Sequence, residues 1–394
     1  MGEKILKNSA VFCIAAAMIF LSADKKISDL FNAISIALAL IYYFKYKAEL
    51  DETARKYIKC IAIFFGAMLI AALFNFDAAV LKEYWRELNK ALPFFAALFA
   101  VRGKKDCKLV LAAILTGIMV NDIYGLYGHL ENLHEKRTWG LDNSFINLGY
   151  YLMIFFIINL SLFLKADKMQ ERLGYGILFI FMLMSVLFNG TRAVWLYLAC
   201  VSPVVIFLLS EHKKRALAII VGLIFVVSVA AGNIDSLNKR AASFQNNSDK
   251  SNQGHYRIVR DSLPMVKDNI FVGVGLGRFK IEFDKYISDE QRASEGVAPH
   301  AHNNFVNIAA ESGIFVCLAW CYMIGVFIWQ MIKDFQKYRR KETLALLSIT
   351  LGMVICGMVE STFDLRQFVK MYFCMLGMYL NYRTLFQEKI KIPL

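Results

Sequence analysis

Phe145–Leu164, reading FINLGYYLMIFFIINLSLFL, is an apolar run without a single charged side chain. At 1.5 Å per residue, about 20 residues of α-helix cross roughly 30 Å of hydrocarbon. At that depth there is no water to satisfy the backbone, so helix is the state such a run must adopt. Outward from this stretch, runs of roughly 17–22 apolar residues recur between short charged clusters. Helices are predicted over 9–22, 28–45, 57–75, 88–101, 107–127, 145–164, 172–188, 193–210, 216–232, 304–331, 343–359 and 367–385. The predicted fold is an all-α polytopic membrane protein with about twelve transmembrane helices and one large extramembrane loop. In domain terms, 1–232 holds nine helices, 233–303 the loop and 304–394 three more.

Composition agrees with that reading. Of 394 residues, 58% are hydrophobic and 20% charged, and mean hydropathy is +0.46; soluble domains are nearer half apolar and a quarter charged. A formal net charge of +13 would suggest nucleic-acid binding in a soluble protein. Here the basic residues flank apolar runs, where they set orientation, so no nucleic-acid partner is expected. With the sides alternated, clusters such as 45–59, 102–108, 165–172, 213–215, 333–341 and 383–391 fall on one side with the N-terminus. That side holds roughly 25 Lys and Arg, against roughly 9 in the short loops opposite, so both termini are expected in the cytoplasm. Lys4 and Lys7 precede a short apolar stretch, but no small-x-small cleavage site follows, and the stretch counts as the first helix. All eight cysteines lie in or beside apolar runs, which argues against a disulfide framework.

Two outer segments are more than connectors. Residues 78–88 carry apolar side chains at helical spacing with charges between them, suited to lying along the interface or capping the bundle. In the large loop, a polar stretch over 243–254 gives way to helical periodicity over 256–266, then to the apolar turn Gly273-Val274-Gly275-Leu276-Gly277. That turn lacks the G-x-G-x-x-G spacing and the preceding strand of a nucleotide loop.

The polar residues that can carry chemistry gather on the outer face. Pro299-His300-Ala301-His302-Asn303-Asn304-Phe305 stands where the large loop enters the tenth helix, with Glu311 and Gly313 following. An imidazole at a membrane interface is one of few groups able to take a proton near neutral pH. The bland alternative is a polar N-cap, for which the asparagines alone would suffice. His300-x-His302 is also a metal-type pair, but no third ligand accompanies it at zinc-site spacing, so no metal is expected. Asn189-Gly190-Thr191-Arg192 occupies a very short outer turn. An arginine so near hydrocarbon faces a cavity or a partner, and its planar fork suits a diphosphate; a snorkelling side chain is the competing reading. Arg257 and Arg260 share a helix face and can grip an anion together, or simply be solvated. Glu360 and Arg366 flank the last outer turn and are expected to form a structural pair.

Taken together, these elements resemble the O-antigen ligase and polymerase superfamily. The family pattern of His, then Asn, nine residues, then Gly is matched by His302, Asn303 and Gly313; Val316 stands where the pattern ends in Gly, Thr or Tyr. Thr191-Arg192 matches the family's short-turn arginine. Arg257 matches its loop arginine ahead of Gly273 and Gly275, with Ile270 at the expected proline. Arg137-x-x-Gly140-x-x-Asn143 resembles an earlier outer-loop element. The resemblance implies a fold similar to type C glycosyltransferases and a site at the periplasmic face of the bacterial inner membrane. It implies a glycan donor on undecaprenyl diphosphate and a lipid A–core acceptor, with no cofactor or metal. His302 would be the catalytic base, with Arg192, Arg257 and Arg260, together with His300, Asn303 and Arg137, on the substrates. The single large outer loop favours ligase over polymerase. A polyisoprenoid-glycan transporter is the alternative from another class, but few prolines and polar residues confined to one face leave it no midplane pathway.

Overall fold

The computed structural model describes residues 2–46, 49–131, 137–233, 238 and 250–390. Most of the polar stretch over 243–254, and the last basic residue of the cluster over 383–391, lie outside them. The described residues fold into helices joined by short turns, with no strand among them. In chain order these are α1 (Gly2–Phe20), α2 (Lys25–Tyr46), α3 (Glu52–Phe74), α4 (Ala78–Ala100), α5 (Lys104–Leu130), α6 (Phe145–Leu164), α7 (Met169–Asn189), α8 (Arg192–Leu209) and α9 (Lys213–Asn233). The loop region contributes α10 (Lys250–Asp268), α11 (Phe279–Phe283) and α12 (Asp289–Glu295). The chain then continues through α13 (Asn304–Ser312), α14 (Ile314–Tyr338), α15 (Lys341–Cys356) and α16 (Arg366–Ile390).

Among the described residues, α2, α3, α5, α6, α7, α8 and α14 are long and apolar enough to cross a membrane. With this character the chain is a polytopic membrane protein. α6 sits at the centre, nearly all of its length buried, which explains why its sequence is apolar all round rather than striped. Side-chain caps start several helices: Asp51 accepts from Ala54 N–H at 2.7 Å and Ser144 from Asn147 N–H at 3.1 Å, each satisfying an amide that the first turn leaves unpaired. At one end of the bundle Arg383 joins α16 to α14 and α3, donating to Asp334 at 2.6 Å and Asp51 at 2.7 Å.

Two predicted boundaries are corrected. The segment over 78–88 is no separate interfacial piece: it is the first half of α4, continuous to Ala100. Continuity is possible because Lys90, 1% exposed, has its charge met inside the protein. Its ammonium donates to Glu87 at 2.6 Å and to the Phe363 carbonyl at 2.9 Å. The predicted tenth helix over 304–331, conversely, is broken. Gly313 takes φ +85° between α13 and α14, and a Cβ there would lie 2.2 Å from the Phe271 carbonyl oxygen. The glycine turn after α10 supplies the reason. Val274 N–H donates to Ala310 O at 2.8 Å, Gly275 N–H to Glu311 O at 3.0 Å, and Ile314 N–H to Ile270 O at 2.8 Å. The loop thus satisfies the backbone groups that the break exposes. Around this seam Met265, Val274, Phe279, Phe283, Ile287, Ala301 and Ala310 form a small core of their own.

Gly313→Ala is expected to cost above about 3 kcal/mol, because a left-handed backbone and a backbone clash coincide. A thermal-unfolding shift of several degrees for the purified variant in detergent would show it; an unchanged transition would contradict the packing described.

Candidate active site

The site begins with one non-glycine residue in left-handed backbone. His302 has φ +50°, a conformation uncommon outside Gly, Asn, Asp and His, and one that tends to mark functional positions. Asn303 follows as N-cap of α13, its Oδ1 accepting from Phe305 N–H at 2.9 Å and Val306 N–H at 3.1 Å. Asn303 does cap the helix, as the plain N-cap reading required, but the asparagines after it do something else.

Asn304 and Asn307 fasten this segment to the turn after α15. Asn304 N–H donates to Gly357 O at 2.7 Å. Its side chain donates to Thr362 Oγ1 at 2.9 Å and accepts from Phe363 N–H at 2.9 Å. Asn307 accepts from Ala301 N–H at 3.0 Å and donates to Asp364 at 2.9 Å. Asn303 Nδ2 reaches Met358 O at 2.9 Å. The sequence offers Asn303 and Asn304 as caps, with Asn303 also on the substrates by resemblance, and gives Asn307 no role; the spacing of 304 and 307 on one helix face is the signal for these ties.

Fastening the two segments delivers Glu360 to the histidines. His302 Nδ1 lies 3.0 Å from Glu360 Oε1 and His300 Nδ1 lies 3.8 Å from the same atom. Ser361 N–H donates to that oxygen at 3.0 Å. The expected Glu360–Arg366 pair is therefore corrected: Glu360 turns to the imidazoles, while Arg366 Nε is buried without a hydrogen-bond partner. Burial alone would raise the Glu360 pKa, but the His302 hydrogen bond and the two imidazoles hold it below the usual carboxylate range. Facing a carboxylate acceptor, His302 Nδ1 is the donor, which leaves Nε2 as its basic nitrogen. The arrangement matches the orienting half of a hydrolase triad.

Two further imidazoles complete the cluster. His255, on α10, stacks on His302 with centroids 4.2 Å apart, and its Nδ1 is 3.2 Å from the Val359 carbonyl. Its pKa is lowered by burial first and by His302 next, with Arg192 contributing. His300 is pushed down to about 4 by burial and by His302, against the opposing pull of Glu360. His255 was not singled out from sequence, since nothing local distinguishes it from a helix-surface histidine.

The arginines come from separate segments: Arg137 from a turn, Arg192 from the start of α8, and Arg257 and Arg260 from α10. Asn189 donates to Thr138 O at 3.3 Å and Phe145 O at 2.9 Å, pinning the Gly190–Thr191 turn against the segment that carries Arg137. Arg192 opens α8. Arg137 lies over the Phe145 ring at 4.3 Å, its pKa lowered by burial and by the nearby Arg192 charge. Arginine stays charged under such conditions, so the two guanidinium charges act on one another from neighbouring turns. Gly140 packs its Cα against Asn121, and Asn143 turns through φ +54°, so this element is a tight turn presenting Arg137. Arg257 is half-buried two residues beyond His255. Arg260 is exposed and bonded to its neighbour Asp261 at 2.8 Å, so it stands toward solvent and away from the cluster.

Residues 177–321 match the family model described as O-Antigen ligase. This match over part of the chain supports the O-antigen ligase and polymerase superfamily, without distinguishing ligase from polymerase. No curated protein matches the chain. The match runs from α7 into α14 and takes in Arg192, Arg257, Arg260, His300, His302, Asn303 and Gly313, along with His255. Arg137, Glu360 and Arg366 lie outside it, and of these Glu360 reaches the histidines only through folding. The superfamily is enzymatic, of ligase or polymerase type, and acts on lipid-linked glycans.

His300 is expected to remain neutral at about pH 6. Its folded pKa lies below the ordinary 6.5, so the unfolded chain binds the extra proton and stability falls as pH drops from about 6.5 toward about 4. Histidine ¹⁵N shifts of the metal-free protein follow this directly; a His300 titration near 6.5 would contradict it.

Proposed function

We propose that this chain is a glycosyltransferase at the periplasmic face of the bacterial inner membrane. It moves an O-antigen glycan from undecaprenyl diphosphate to a sugar of lipid A–core. In this reading α1, α4, α9, α15 and α16 also span the bilayer, which gives about twelve spans with α14 as the tenth. Both termini are then cytoplasmic. The observation that carries the reading is the Glu360–His302 hydrogen bond at 3.0 Å, together with the two arginines on neighbouring turns.

The chemistry follows from those groups. Glu360 holds His302 in the tautomer whose Nε2 accepts the proton of the acceptor hydroxyl. The freed oxygen attacks the anomeric carbon as its bond to the diphosphate oxygen breaks, through an oxocarbenium-like state and with inversion. Arg192 and Arg137, with Arg257 from the loop, hold the diphosphate and balance the negative charge that builds on it as it leaves. His300 and Asn303 line the acceptor side. The proton on His302 passes to solvent after product departs. Arg260, turned to solvent, contributes only to the long-range field.

A place for the isoprenoid tail lies below Arg192. A cavity of about 550 Å³ opens between α6, α7, α8 and α9, lined by Trp195, Leu183, Leu187, Ala199, Leu223 and Val227 among others. Its walls are almost wholly apolar, and Trp195 at its rim is held by a 2.7 Å bond to Val186 O. A headgroup on Arg192 would send its hydrocarbon directly into this space.

Reconstituted vesicles with a purified undecaprenyl-diphosphate glycan and lipid A–core as sole acceptor test the reading. Wild-type protein should form the ligated product, and His302→Ala should lower the rate by about 10²–10⁴. Glu360→Gln should lower kcat with little change in KM, since it removes orientation rather than binding. Equal product from His302→Ala would remove the base assignment; product only between two lipid-linked glycans would make the enzyme a polymerase. For the cavity, Ala199→Trp should depress transfer from a full-length prenyl donor far more than from a short-chain donor. Equal loss with both would place the tail elsewhere.

A further inference from the structure

His300 and His302 direct their Nδ1 atoms at one oxygen, Glu360 Oε1, at 3.8 and 3.0 Å. The His302 backbone N–H donates to His300 Nδ1 at 3.3 Å. That bond fixes the His300 tautomer: Nδ1 carries a lone pair, and the ring proton sits on Nε2. Glu360 Oε1 lies 3.8 Å from that unprotonated nitrogen, so an ion bound between them would take over the lone pair now engaged, at a long 3.3 Å, by the His302 N–H. His302 Nδ1 stands at the same spot, and the three ligand atoms all lie within 4.8 Å of one another. A tetrahedral zinc ion with bonds of about 2.0–2.1 Å sets its ligand atoms roughly 3.4 Å apart, so side-chain adjustments alone close the site. The frame is already rigid. Ser361 N–H holds Glu360, His255 stacks on His302, and the asparagine ties hold both segments.

We propose that His300, His302 and Glu360 form an inhibitory binding site for a zinc-class divalent ion, with its fourth position open. Two imidazoles and one carboxylate suit zinc and its softer neighbours, not magnesium or calcium. The inhibitory sense follows from proton bookkeeping and rests on the transferase reading above. In the metal-free state Nδ1–H of His302 faces Glu360 and Nε2 holds the lone pair that accepts the hydroxyl proton. When the ion takes Nδ1, that proton resides on Nε2 of the still-neutral ring. No proton is gained or lost overall, yet the basic nitrogen is gone. Glu360, now a ligand, no longer orients the ring.

The test uses full-length protein in detergent, stripped with a chelator and titrated with Zn²⁺, then with Co²⁺ as a spectroscopic probe. A single ion per chain is expected, with a tetrahedral Co²⁺ spectrum and no competition from Mg²⁺. His300→Gln and Glu360→Gln, chosen to keep side-chain volume, should each weaken binding by about 100-fold while eluting as the wild type does. In vesicles, Zn²⁺ should suppress wild-type transfer at the concentration that fills the site. His300→Gln, scaled to its own metal-free rate, should resist it. Absence of stoichiometric binding, or unchanged affinity in both variants, overturns the site. Binding without inhibition, or activation by Zn²⁺, overturns the inhibitory role. Ligand-dependent binding by a protein that transfers nothing even without metal supports the site and overturns the transferase reading instead.

Discussion

The site depends on amide hydrogen bonds made by Asn304 and Asn307 across to the turn that follows α15. Each is buried, so each bond is worth about 1 kcal/mol made and costs about 1–3 kcal/mol if one partner is left alone. That asymmetry makes the junction close to all-or-none: the start of α13 and the turn over 357–364 are either fastened with the amides of Asn304 and Asn307 met or not fastened at all. When they are fastened, Glu360 meets His302, and a helix cap becomes an oriented imidazole.

A second constraint acts from the other side of α13. Breaking a helix beside hydrocarbon exposes backbone groups that neither lipid nor apolar side chains can satisfy. Here the glycine turn after α10 supplies the missing partners through its own backbone. Its approach is so close that Gly273 and Gly313 both lie where a Cβ would strike main chain. The same seam holds α10 against the bundle and so sets His255 on the face of His302. The loop is therefore a structural member of the site, held by backbone bonds rather than by adaptable side-chain contacts.

Electrostatics complements this frame. Asn189 pins the short turn before Arg192 against the segment that carries Arg137, near enough for the Arg192 charge to be felt at Arg137. The histidine cluster works in the opposite sense. Burial and mutual proximity keep His300 neutral, while Glu360 is held ionised, so the cluster has lone pairs and one carboxylate but few protons. Cationic side chains and neutral imidazoles thereby belong to neighbouring segments without neutralising one another.

Sequence by itself determined the class of fold, an all-α polytopic membrane protein, and drew attention to the segment over 299–305. Run length and the absence of charge over 145–164 dictate a buried helix through backbone desolvation, which is a local property. The pattern of His302, Asn303 and Gly313 is legible only as a resemblance, and the break at Gly313 is not legible: the sequence reads as one helix from 304 to 331 where the fold has two. Tertiary structure alone decided the pairings. Nothing near residue 360 says that its carboxylate will meet an imidazole 58 residues earlier and leave Arg366 aside. Nor does the run over 78–100 reveal that Lys90 will find Glu87 and a distant carbonyl and let the helix continue. Periodicity and composition are written residue by residue. Which turns meet is set by the packing of the whole bundle, where each polar group must find a partner that no local rule names.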